Sequence, residues 1–142
     1  METKGYVDSN SKDMSDEENF EQSYSNFFNA LELMAEDAET QCKIMDYYNV
    51  ACELKDDIAI GIYLLKIAPG KLSDIQIKAI KNFLAEVETL PEYLFNGTTI
   101  DVDSLSNMRQ PCWTHIREQA VKLIQILKPA TIKNKAFYKD GE

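Results

Sequence analysis

The sequence predicts an all-α fold, a single compact helical bundle of about five or six helices with a loose N-terminal tail. Three observations point there. Apolar residues recur at steps of three and four along three long segments, two of those segments open on a serine followed by acids or amides as a capped helix does, and no two alternating segments exist that could pair as a sheet. The chain has 142 residues, 44% of them hydrophobic, with 5 Gly and 4 Pro. A chain of this length can bury roughly two-thirds of its unfolded surface in one domain, and its composition is not that of a disordered or low-complexity polymer.

Residues 1–14 are polar and acidic and are expected to form a disordered tail, because they cannot bury enough surface to offset ordering entropy. Ser15 with Asp16, Glu17 and Glu18 suits a helix start. Phe20, Tyr24, Phe27, Leu31, Met34 and Ala38 then line one helical face. Asp37 can cap a second helix that carries Met45, Tyr48 and Cys52 inward with Ile44 and Ala51 beside them, and Asp56-Asp57 marks a junction. From Ile58 to Ala68 the run fits either a helix, through Ile58, Ile62 and Leu65, or a buried strand. Helix is favoured because a lone strand would leave its ladder groups unpaired.

Pro69-Gly70 ends that run, and Ser73-Asp74-Ile75-Gln76 fits a capping box with Leu72 and Ile77 as its hydrophobic staple. The stripe that follows holds Ile77, Ile80, Leu84 and Val87, with Phe83 beside it, and stops before Pro91. Pro91 to Phe95 could add one turn; Thr98 to Gln110 reads as a loop anchored by Ile100, Val102 and Leu105. Pro111 opens a final helix with Trp113, Ile116, Ala120, Leu123 and Leu127 inward. Lys128-Pro129 ends it, so the domain spans residues 15–129 and residues 130–142 form a basic tail.

Charge is the most informative feature. Residues 1–57 hold 15 acidic and 4 basic side chains, a net −11, whereas residues 58–142 hold 9 acidic and 11 basic, a net +2. A field of this sign disfavours direct contact with nucleic acid phosphates or anionic membranes. The first residues lack the apolar core of a secretory signal, and the most apolar run is far short of the ~20 residues that cross a bilayer. Three cysteines without a C-x-x-C pair fit a reducing cytoplasm.

No sequence pattern carries chemistry. One histidine excludes histidine-rich metal sites, and Asp101-Val102-Asp103 opens like a calcium loop but meets Leu105 and Cys112 at ligand positions. Cys112 and His115 lie one helical turn apart, yet nothing supplies an oxyanion hole. The glycines form no phosphate loop. No catalytic residue, metal or cofactor is therefore expected. The helices' inward faces being apolar, their acids must point outward, and Tyr47 and Tyr48 among them supply rigid amphipathic rings of the kind interfaces use. The expected partner-binding residues are Glu32, Glu36, Asp37, Glu39, Asp46, Tyr47, Tyr48, Asp56 and Asp57.

In general character, a small acidic helical protein without chemistry of its own resembles the immunity proteins and antitoxins that neutralise basic nuclease toxins; the resemblance is of type and assigns no residue. It implies a non-enzymatic protein that occludes a toxin's basic substrate cleft. The alternative is a self-associating structural or regulatory adaptor using Tyr93, Leu94 and Phe95.

Overall fold

The computed structural model describes residues 15–95 and 104–141, with side chains described up to residue 134. The expected N-terminal tail and the anchors Ile100 and Val102 lie outside the described residues, as do Asp101 and Asp103. The elements are α1 (Asp16–Met34), α2 (Ala38–Ile44), α3 (Val50–Ile58), α4 (Ile60–Ile67), α5 (Asp74–Glu88), a 3-10 turn (Glu92–Leu94), α6 (Ser104–Met108), α7 (Cys112–Ile126) and α8 (Lys128–Gly141). The fold is all-α, as the periodicity predicts. It is cut into more pieces than the five or six expected.

Both serine starts are complete capping boxes. Ser15 Oγ accepts from Glu18 N at 3.0 Å while Ser15 N donates to Glu18 Oε1 at 3.0 Å, and Ser73 and Gln76 repeat the exchange at 3.1 and 2.9 Å. Each box satisfies two amides that a helix start leaves without partners. Four helices close a ring in which α1 packs on α4, α4 on α5, α5 on α7 and α7 back on α1; α3 and α8 also lean on α1, and α2 and α6 pack together with α6 also against α3. Inside the ring lie Tyr24, Phe27, Leu31 and Met34 of α1 with Leu64, Ile80, Trp113 and Ile116, all essentially without solvent contact.

One close approach sets the α1–α4 distance. A Cβ placed on Gly61 would stand 2.7 Å from the buried Phe27 ring and 3.2 Å from Leu84 Cδ2. The inward face of this arm therefore runs Ile58, Gly61, Leu64 and Ala68, while Ile62 is exposed, which corrects the expected Ile58, Ile62, Leu65 stripe. An apolar pattern cannot see a glycine, so the true face was hidden by one residue of phase.

Three other expectations are corrected. The second helix does not run through residues 38–56: it breaks after Ile44, and Asp46 (φ 58°), Tyr47 (φ 58°) and Asn49 (φ 47°) take the left-handed conformation before α3 begins. The break resets the helical phase, so Val50, Ala51, Leu54 and Ile58 face inward while Tyr48 faces out. Residues 104–108, expected as loop, form α6, pinned by buried Met108 and by Ser104 Oγ donating to Tyr47 O at 3.1 Å. Pro129 opens α8 instead of ending the fold, because a proline in a first helical turn removes no needed donor.

Candidate functional site

The acids expected to meet a partner occupy four places. Glu32 lies on α1 beside a narrow cleft that also touches Thr131 and Asn134 of α8. Glu36, Asp37 and Glu39 surround the α1–α2 corner. Asp46 is in the left-handed turn, and Asp56 and Asp57 end α3. All are exposed except Asp57, which is half-buried.

Two of the three acids at the corner are engaged within the chain. Asp37 caps α2, its Oδ1 accepting from Thr40 N at 2.8 Å, and that bond holds its carboxyl below the usual range. Glu39 Oε2 accepts both Nε (3.0 Å) and Nη2 of Arg109, which lowers its pKa as well. Glu39 is thus partly neutralised by a cation of the chain's second half. Beneath them Arg117 Nη2 donates to Gln41 Oε1 at 2.8 Å and to Met108 O at 2.6 Å, while Gln41 Nε2 donates to Met34 O at 3.0 Å. Gln41 is fully buried, so this polar node fastens α7 to the α1–α2 corner and to the end of α6. Burial lowers the pKa of Arg117. No salt bridge among the described residues engages Glu32, Glu36, Asp46 or Asp56.

The tyrosines are both outward, 50% exposed at Tyr47 and 54% at Tyr48, with Ile44 beside the turn at 63%. Spacing alone had turned Tyr48 inward. Left-handed backbone at a tyrosine costs on the order of 1–3 kcal/mol, and Asn49 adds a buried Oδ1 with no partner among the described residues. Of the residues proposed for self-association, Leu94 is buried and Phe95 packs edge-on against Trp113 at 6.2 Å with Lys55 Nζ 4.5 Å above its ring; only Tyr93 is exposed.

His115 Nε2 meets Glu86 Oε1 at 3.0 Å on an exposed surface, and Cys112 is half-buried at the start of α7. Among the described residues no three His, Cys, Asp or Glu side chains gather as metal ligands, and no helix is long and apolar enough to cross a membrane.

Sequence reasoning missed a cavity of about 310 Å³ between α1 and the α3–α4 arm, lined by Asn26, Asn29, Ala30, Leu33, Asp57 and Ile60. Asp57 alone among these carried a charge signal. The two asparagines became visible only when their spacing of three on α1 was set opposite that carboxylate.

No protein-family model, curated protein or solved structure matches the chain.

Proposed function

We propose that the protein is a non-enzymatic acidic protein-binding module of the immunity-protein or antitoxin kind, which occludes the basic substrate cleft of a nuclease toxin. Carboxylates standing where substrate phosphates would lie steer association and exclude the substrate. The observation that carries this reading is the Asp46–Asn49 turn. Three non-glycine residues in left-handed backbone hold Tyr47 and Tyr48 half in solvent beside Asp46, within the acidic half of the chain. Rings kept in water add little to the chain's own core, and exposed tyrosines beside an exposed acid are the kind of surface a basic partner would cover.

The experiment is capture from the source cell followed by a nuclease assay. Immobilised chain is expected to retain a basic polypeptide whose nuclease activity falls to baseline at about one equivalent, and Tyr47→Ala with Tyr48→Ala should weaken binding by about thirtyfold. Failure to inhibit any captured nuclease, or full inhibition by the doubly substituted chain, contradicts the proposal.

A further inference from the structure

The cavity between α1 and the α3–α4 arm has a definite chemistry. Asn26, Asn29 and Leu33 stand at spacings of three and four on one face of α1, and Asp57 and Ile60 stand opposite them. Ala30, Leu33 and Ile60 make aliphatic walls, Asp57 is the one charged lining residue, and both asparagines are open to solvent. No side-chain hydrogen bond among the described residues engages Asn26, Asn29 or Asp57. Burial and the adjacent Asp56 raise the pKa of Asp57, so its charged form lacks the stabilisation an incoming cation would supply.

A compact metal ion would want several carboxylate oxygens closing around it. Here one carboxylate and two carboxamides share an open groove with the aliphatic side chains of Ala30, Leu33 and Ile60, a mixed lining that suits a planar fork on a methylene stem. We propose that this cavity is a receptor for an arginine side chain of the basic partner. Its guanidinium lies against the Asp57 carboxylate, the side-chain carbonyl oxygens of Asn26 and Asn29 accept its remaining N–H groups, and its stem covers Leu33 and Ile60. The assignment rests on the reading that the partner is basic, and it deepens that reading by naming the group recognised.

The test uses the full chain, isotopically labelled, titrated at constant ionic strength with N-acetyl-arginine amide, its neutral isostere N-acetyl-citrulline amide, and N-acetyl-lysine amide. Arginine should give saturable shifts at the Asn26 and Asn29 side-chain amides and the Leu33 and Ile60 methyls, with a Kd on the order of millimolar. Citrulline and lysine should bind at least about fivefold more weakly, and Asp57→Asn should lose about tenfold for arginine without lowering the thermal midpoint. Equal binding of citrulline or lysine, shifts centred elsewhere, or unchanged affinity in Asp57→Asn would overturn the assignment. If the cavity ignores arginine while the captured nuclease is still inhibited, the receptor is wrong and the protein-binding reading stands. Arginine binding at these residues with no nuclease inhibited supports the receptor and removes the antitoxin reading.

Discussion

Gly61 and Phe27 meet where α1 and α4 approach most closely, and the fully buried ring has no room to retreat from an added methyl group. Alanine would gain up to about 1 kcal/mol of helix propensity over glycine, but overpacking in a filled core costs about 1–3 kcal/mol. Gly61→Ala should therefore lower unfolding free energy in urea, and adding Phe27→Leu should recover part of the loss. A neutral or stabilising Gly61→Ala would mean the helices can part freely. Tyr24 makes a second residue-level prediction. Its hydroxyl, buried beneath α8, donates to Leu127 O at 3.2 Å and shares a 2.7 Å bond with the Thr131 hydroxyl. Burial pushes its pKa up to about 12. Tyr24→Phe removes the partner of the Thr131 hydroxyl, while Leu127 O still accepts from Thr131 N at 2.9 Å, and should cost about 1 kcal/mol by the same measurement.

α8 is held by polar contacts that no hydropathy pattern reports. Besides Tyr24, the Asn134 carboxamide, oriented by its neighbours, points its nitrogen to Glu21 Oε1 at 2.8 Å and accepts from Ser25 Oγ at 2.7 Å. Glu21 is buried, and desolvation together with Glu17 raises its pKa above the ordinary 4.5 despite Lys133 and Lys71 nearby. A raised carboxyl pKa means the folded state holds the proton more tightly, so this group's stabilising contribution is complete below pH 4.5 and is lost as pH rises through the folded value. Glu21→Gln should raise the melting midpoint at pH 7, with the difference shrinking as pH falls through that window; a lowered midpoint at pH 7 that recovers as pH falls would show that the carboxylate's bonds outweigh its desolvation. Asp37 and Glu39 work in the opposite sense, their lowered pKa values giving stability that is present above the ordinary range and lost as acid protonates them. The stripes of α1 and α7 were legible because their central inward positions are apolar, Glu21 and Ser23 being the polar exceptions on α1, and α5 nearly so, with Phe83 in the buried seam where Leu84 was expected. The α2–α3 break was not legible, since Asp46, Tyr47 and Asn49 owe their backbone to tertiary contacts such as Ser104 with Tyr47 O. Pro129 reads equally well as a stop or a start from local sequence, and Thr131 and Asn134 decide it by docking on α1.

At the scale of the whole molecule, the acidic surplus of the first half is only partly offset by the second. Arg109 draws off Glu39, and Arg117 lies beneath Asp37, whereas Glu36, Asp46 and Asp56 stay exposed. Charge counting named these acids but could not tell paired from unpaired ones, because Arg109 is 70 positions away from Glu39 in sequence. That distinction decides which substitution isolates a partner contact. Reversing Glu39 would also disturb its bond to Arg109 and so mix stability with binding, while Glu36 and Asp46 form no salt bridge among the described residues. The most direct measurement is the association rate of the captured nuclease by stopped flow, from roughly 50 mM to roughly 500 mM salt, for the native chain and for Glu36→Lys with Asp46→Lys. Electrostatic docking on the acidic half predicts at least about a tenfold fall in rate across that range for the native chain, and a slower, nearly salt-independent rate for the doubly substituted one. Rates indifferent to salt and to both substitutions would contradict it.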